Sequence, residues 1–253
     1  MIQLSVVIIT KNEERNIGRC LDSVKDVADE IIVIDSFSID KTEEICKKYA
    51  EVRFFQRPWD DNYANAKNYG VSQASYDFIL SLDADELLSK ALKDNLLALK
   101  ANAEAKAYTF NRLTNYCGSW IHHCGWYPDK VLRLWDRRVG QWEGSIHEKV
   151  VIAQSQNVKH IKGDILHYSF YSITDHLKKI QYYTELMARQ NIKKGKKATY
   201  LKILFSPLFK FIQSYFFEKG FLDGYHGFVI CLMSAYATFL KYVRTKELVS
   251  KTD

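Results

Sequence analysis

Long uncharged apolar runs are missing from this chain of 253 residues. A stretch from Gly227 to Leu240 carries no charge, yet its 14 residues fall short of the roughly 20 that cross a bilayer as a helix. Cysteine is scarce and odd in number: Cys20, Cys46, Cys117, Cys124 and Cys231 are widely spaced, which excludes a disulfide framework and points to a reducing cytoplasm. The first residues, Met1 to Ile9, lack a basic leader and a small-residue cleavage site, and charge follows at Lys11. They are expected to form a first core strand, not a signal peptide. No internal repeat or low-complexity segment occurs. No glycine-rich basic loop follows the first apolar run either, which sets aside a triphosphate-binding nucleotidyltransferase.

What is present is globular in composition, with 47% hydrophobic and 26% charged residues. The length allows one large α/β domain, or one domain with an appendage. A formal net charge of +6 and a pI near 8.9 suit an anionic partner: a nucleotide, a nucleic acid or an acidic membrane surface. Nucleic acid is set aside by distribution, because acidic residues crowd the strand ends and the densest basic cluster lies beside apolar helices.

The first hundred residues alternate between two patterns. Leu4–Ile9, Ile31–Ile34, Val52–Phe55 and Phe78–Leu82 are apolar, largely β-branched or aromatic runs. Glu13–Val27, Asp40–Tyr49 and Tyr63–Ala74 read as helices. Strands without polar alternation, separated by helices, predict a parallel sheet covered on both faces, with ligands at the carboxyl ends of the strands. From about 104 to 168, short strands and recurring glycine turns predict a mixed or antiparallel extension. From Ser172 on, the chain reads as aromatic helices. The expected division is one domain over 1–170, in two halves (1–100 and 101–170), then a helical region over 171–253.

Three strand ends carry polar clusters. The first is Thr10-Lys11-Asn12-Glu13-Glu14. In the second, Asp35 directly follows a buried strand, where a carboxylate can accept hydrogen bonds from a base or ribose. The alternative for Asp35, and the preferred reading for Asp40, is a turn former or helix N-cap. The third is Asp83-Ala84-Asp85-Glu86. Its carboxylates repel one another unless a cation neutralises them, and hard oxygen ligands favour Mg²⁺ or Mn²⁺. Such an ion would stabilise a departing diphosphate. Cys117, His122, His123 and Cys124 suggest zinc less well than a ligand-facing loop carrying Trp120, Trp126 and Tyr127, because adjacent strand residues point to opposite faces.

These segments resemble glycosyltransferase family 2. Val6–Glu14 is similar to its first strand and Asn-Glu turn, Ile34–Thr42 to its second-strand signature, Lys67-Asn68-Tyr69-Gly70 to its basic-Asn-x-Gly segment, and Asp83-Ala84-Asp85 to its Asp-x-Asp motif. Cys117–Asp129, Arg133-Leu134-Trp135, His147-Glu148 and Phe221–Gly227 are similar to the lipopolysaccharide inner-core β-glucosyltransferase subgroup. The family usually has glycine at Phe37 and often tyrosine at Lys11. The resemblance implies a GT-A fold: a Rossmann-like, mainly parallel mixed sheet flanked by helices, here with a carboxy-terminal aromatic helical appendage. It implies an inverting hexosyltransferase with UDP-glucose as the favoured donor. Thr10, Glu13 and Asp35 would contact the nucleoside, Lys67 would lie near the donor, and Asp83 near the ribose or metal. Ala84 completes that donor motif, and Asp85 would ligate the metal. Glu148 takes the place of the base, with Asp129 as its rival. His167 is the candidate for a late histidine ligand, against the alternative of a satisfied core residue.

The acceptor implied is a lipopolysaccharide core or similar lipid-linked saccharide, with Trp120, Trp126 and Tyr127 stacking on its sugar rings. Lys193–Lys197, followed by the aromatic helices, suggests peripheral attachment to an anionic membrane on its cytoplasmic face; the alternative is a helical cap on the core. Outside this reading stand a non-catalytic scaffold on the same fold and another nucleotide-sugar enzyme.

Overall fold

The computed structural model describes residues 1–60, 62–144, 148–153 and 157–250. Four apolar runs form parallel strands: β1 (Leu4–Thr10), β2 (Glu30–Asp35), β3 (Val52–Gln56) and β4 (Phe78–Asp83). They alternate with helices α1 (Ile17–Val24), α2 (Thr42–Cys46) and α3 (Tyr63–Gln73). Burial explains the lack of polar alternation. Leu4, Val6 and Ile8 enter one core with Ile31, Val33 and Leu80, while Val7 enters a second core on the opposite face with Ile32, Ile34 and Ile79. Successive residues of a strand point to opposite faces, so two covered faces require an unbroken apolar run.

Next come β5 (Glu86–Leu88), α4 (Lys90–Ala101), β6 (Ala107–Tyr116), β7 (Ser119–Trp120), β8 (Asp129–Asp136), β9 (Gly140–Glu143), β10 (Lys149–Ile152) and β11 (Val158–Phe170). The sheet runs β3-β2-β1-β4-β8-β6-β11-β5, with β7 on β6 and β9–β10 a separate ribbon. β8 joins both β4 and β6 antiparallel, and β11 joins β5 antiparallel. The mixed extension expected after residue 104 is therefore present.

Helices α1 and α2 are shorter than the periodicity suggests, for a local reason. The backbone N–H of Glu13 donates to Thr42 Oγ1 at 2.8 Å and that of Glu14 to Asp40 Oδ2 at 3.0 Å. Asp40 also accepts from Thr42 N at 3.0 Å. The residues expected to begin two helices are used instead to zip two loops together. Asp40 thus serves the turn, as its position suggested.

Two compact units result: Met1–Arg112 with Asp129–Tyr168, and Leu113–Pro128 with the residues from Ser169 on. The division differs from a boundary at residue 170, because 113–128 packs with the helices that follow. In the second unit are α5 (Ile173–Lys193), α6 (Tyr200–Ile212), a π-helical turn (Gln213–Phe217), a 3₁₀ turn (Gly220–Asp223) and α7 (Gly224–Ser250). Asp223 ties the 122–124 loop to them. It accepts from His122 N at 3.3 Å and His123 N at 2.8 Å, and faces His123 Nδ1 at 2.8 Å. Tyr116, Ile121 and Cys124 then pack on Val229, Ile230 and Cys231. Gly227 permits this closeness, since a Cβ there would lie 1.9 Å from the carbonyl oxygen of Gly220.

Gly70 has the same role in the first unit. A Cβ on it would meet Val7 Cγ1 at 2.4 Å and Ile34 Cγ1 at 3.0 Å, so only glycine lets α3 sit this close to the sheet. Gly70→Ala is expected to cost about 1–3 kcal/mol through overpacking and to lower Tm by roughly 3–10 °C. Unchanged thermal unfolding would contradict this packing.

His176 gives the second unit a pH dependence. It is buried, its Nδ1 lies 3.0 Å from the Tyr116 hydroxyl, and burial together with the Lys179 charge lowers its pKa to about 4. The folded state keeps it neutral while the unfolded chain protonates it near the ordinary value of about 6.5. Its contribution is full above that value, declines as pH falls through the window from about 6.5 to about 4, and is lost below it. Urea unfolding across this range is expected to show a shallower decline in His176→Gln than in the wild type.

Candidate active site

The carboxyl ends of the parallel strands meet in register. Thr10 pairs with Asp35, and Ile9 with Asp83. Thr10 is buried, and its Oγ1 has no hydrogen-bond partner among the described residues. Asp35 is fully buried and accepts from both the backbone N–H (2.9 Å) and the hydroxyl of Ser38. Through Ser38 it also closes its own turn. Glu13 accepts from the side-chain amide of Asn16. Phe37 explains its own departure from glycine poorly: its φ is +55°, the left-handed region that glycine favours, and its ring is exposed beside these loops.

At the third strand end, the acidic motif separates into two parts. Glu86 is fully buried and accepts from Arg133 Nη2 at 2.8 Å, from Arg112 Nη1 at 3.3 Å and from the backbone N–H of Asp83 at 3.1 Å. Asp83 is paired at 3.0 Å with both Arg133 Nη2 and Lys67 Nζ. Burial would raise the Asp83 pKa, but the charges of Lys67 and Arg133 outweigh it and hold the carboxyl well below the usual range. The expectation that a metal neutralises all three carboxylates therefore needs correction: buried side-chain cations serve Asp83 and Glu86.

Asp85 stands on the other side of this division. Its Oδ2 lies 3.3 Å from His167 Nε2. Strand pairing brings them together, since His167 is opposite Glu86 and the Tyr168 N–H donates to the Asp85 carbonyl at 2.9 Å. Among the described residues no group of three or more His, Cys, Asp or Glu side chains is placed to hold an ion. One carboxylate oxygen and one imidazole nitrogen do fit a divalent cation that takes its remaining ligands from a diphosphate and water.

Lys67, expected near the donor, is 1% exposed. Its Nζ also pairs with Glu148 Oε1 at 3.0 Å and lies 4.3 Å from the centroid of the Trp142 ring. Asn68 clips the same strand: its amide donates to the Trp142 carbonyl at 2.9 Å and accepts from the Trp142 N–H at 3.1 Å. The Lys67-Asn68-x-Gly70 motif is thus mechanical, seating α3 and holding β9. Glu148 is brought to within one lysine of Asp83, while His147 lies outside the described residues. Asp129 pairs with Arg112, Nε at 2.9 Å and Nη2 at 2.7 Å, on the far side of Glu86.

The acceptor candidates fall in the second unit. Trp126 packs against Tyr116, Phe170 and His176, with centroids 5.5–6.0 Å apart, so much of its surface is spent on the fold. Trp120 pairs in β7 with Asn115, and Tyr127 meets the His122 ring at 5.6 Å.

Sequence reasoning gave no role to Arg112 or Trp142, named Arg133 only within a resembling segment, and counted Glu86 among the carboxylates that a bound cation would neutralise. A signal for the part Arg133 plays was available: Val131-Leu132-Arg133-Leu134-Trp135 places a cation inside an apolar strand run, and a buried cation needs carboxylate partners. Arg133→Met is expected to cost roughly 3–5 kcal/mol by leaving Asp83 and Glu86 underpaired. A change below about 1 kcal/mol in urea unfolding would contradict the network.

The model of glycosyl transferase family 2 matches residues 5–137. A glycosyltransferase of Rickettsia typhi is 30% identical over 263 aligned residues, covering 100% of this chain and 89% of that protein. The lipopolysaccharide core biosynthesis glycosyltransferase LpsC of Rhizobium meliloti is 31% identical, covering 94% and 90%. Among solved structures, the mannosyltransferase PcManGT of Pyrobaculum calidifontis, in complex with GDP-Man and Mn²⁺, matches with a TM-score of 0.57 and 15% identity. It covers 96% of this chain and 87% of its own. The fold is GT-A.

Proposed function

The chain belongs to glycosyltransferase family 2, and on that premise we propose that it moves a hexose, favourably glucose from UDP-glucose, to a lipopolysaccharide core or similar lipid-linked saccharide. The observation that carries this reading is the Asp85–His167 pair at 3.3 Å beside the neutralised Asp83. The kinship with LpsC supports the acceptor class. Such an acceptor holds the reaction at the cytoplasmic face of a membrane, where nucleotide sugars are available.

Thr10, Glu13 and Asp35 take the nucleoside at the paired ends of β1 and β2. The unpartnered Thr10 hydroxyl supplies a hydrogen-bonding group there without breaking a contact. Asp83 and Ala84 line the donor, and Lys67 acts from behind by fixing Asp83 and Glu148. Asp85 and His167 hold Mn²⁺ or Mg²⁺, which when bound offsets negative charge on the diphosphate. Inverting transfer is one in-line displacement, so a carboxylate must take the proton of the acceptor hydroxyl opposite the leaving group. Glu148 suits this better than Asp129 because it shares Lys67 with the donor-side carboxylate, whereas Asp129 is held by two nitrogens of Arg112.

The test is release of nucleoside diphosphate from a panel of nucleotide sugars, with Mn²⁺ and with chelator. Metal-dependent turnover of one UDP-hexose is expected, abolished in Asp85→Ala. Glu148→Gln is expected to retain donor binding and lose about 10²–10⁴-fold in transfer. Full transfer by that variant would eliminate Glu148 as the base. Failure to bind any donor would return the chain to the scaffold reading.

A further inference from the structure

Helix α6 is apolar on nearly every side, yet none of its 13 residues is buried. Leu204, Phe205, Leu208 and Phe209 are all more than half exposed, and the turn that follows adds Phe216 and Phe217, the last at 78%. A surface helix of a soluble unit normally buries its apolar stripe and shows a polar one. Here the apolar side faces out. The patch is continuous at its end, because the Tyr215 ring touches those of Phe216, Phe221 and Phe228, each itself substantially exposed.

Charge gives a second, independent observation. Residues 193–219 contain seven lysines and one glutamate, a net +6, which equals the formal net charge of the whole chain. The remaining residues are neutral overall. The chain's entire positive excess therefore lies in and around its most exposed apolar segment. We propose that α6 and the π-helical turn form an interfacial docking face for an anionic lipid bilayer, with the aromatic and leucine side chains entering the acyl boundary and the lysines meeting the headgroups.

The geometry favours lying in the interface over crossing it. At 13 residues, α6 is about 20 Å long, too short for a hydrocarbon core of about 30 Å. Helix α7 is long and apolar enough to cross a membrane by length and composition. It is instead committed to its own unit: Val229, Ile230, Cys231 and Ala235 are buried. Arg244 also donates to the Gln181 carbonyl and, at 2.9 Å, to Thr184 Oγ1, while Asn191 Nδ2 donates to Thr245 Oγ1 at 3.2 Å. Insertion of α7 would break these contacts in a medium without replacement partners. This docking face extends the reading of a lipid-linked acceptor, but its observations do not depend on the donor chemistry.

Sedimentation of the full chain with vesicles tests the proposal without measuring transfer. Phosphatidylglycerol-containing vesicles are expected to carry the protein down, and pure phosphatidylcholine vesicles to do so at least about tenfold less. Phe209→Glu with Phe217→Glu is expected to reduce partitioning on the order of tenfold or more. Lys196→Glu with Lys197→Glu is expected to reduce it on anionic vesicles only, as is raised salt. Both variants alter exposed side chains, and unchanged Tm and nucleotide-sugar binding show that they fold. The proposal is overturned if the wild type stays in solution with anionic vesicles, or if the phenylalanine variant binds them as well as the wild type. It is likewise overturned if light scattering shows a dimer that Phe209→Glu dissociates while vesicles leave the chain in solution, which would assign the face to a second copy.

Discussion

Two buried cations, Lys67 and Arg133, fix the geometry on which the rest of the first unit depends. Placing a charge in a protein interior costs several kcal/mol unless close partners compensate it. Each of these side chains meets that requirement by bridging two carboxylates. Lys67 on α3 joins Asp83 at the end of β4 to Glu148, and Arg133 on β8 joins Asp83 to Glu86. Whatever positions α3 therefore positions the carboxylates as well. That is the physical content of Gly70, which lets the helix approach the sheet, and of Asn68, which locks the backbone of Trp142 beneath the Lys67 ammonium. The network also divides labour within four consecutive residues. Asp83 and Glu86 are matched to side-chain cations, and Asp85 is set beside a histidine.

Much of the first unit was legible because its signals are local. Unbroken β-branched runs at β1, β2 and β4 require two covered faces, and the structure shows a separate core on each. Strand-end positions of Thr10, Asp35 and Asp83 follow from the same runs. What was not legible depended on partners distant in sequence. The starts of α1 and α2 are set by hydrogen bonds between the two loops, across 26 to 29 residues. The burial of Lys67 depends on Glu148, 81 residues away. A lysine next to an asparagine in a helix announces neither its depth nor its second carboxylate.

The second unit illustrates a different limit. Apolar residues at helical spacing state that a helix has an apolar side, not what covers it. In α7 the apolar residues divide into two sets. Val229, Ile230 and Ala235 are inside the unit, while Tyr225, Phe228, Leu232, Tyr236 and Phe239, at helical spacing, are exposed. In α6 almost none is inside. The same composition is thus core in one helix and surface in its neighbour. The segment 113–128 could not be assigned from sequence either, because its anchor, Asp223, lies about a hundred residues further on.

The proposed ligand pair constrains the ion. Mg²⁺ prefers oxygen ligands in a strict octahedron, whereas Mn²⁺ accepts an imidazole nitrogen more readily. An aspartate with a histidine therefore tilts the choice toward Mn²⁺. Two protein ligands also leave most of the coordination sphere to the nucleotide sugar and water, so ion and donor should bind with positive coupling, each raising the affinity of the other by the same factor. On that reading, loading of the ion would depend on the donor.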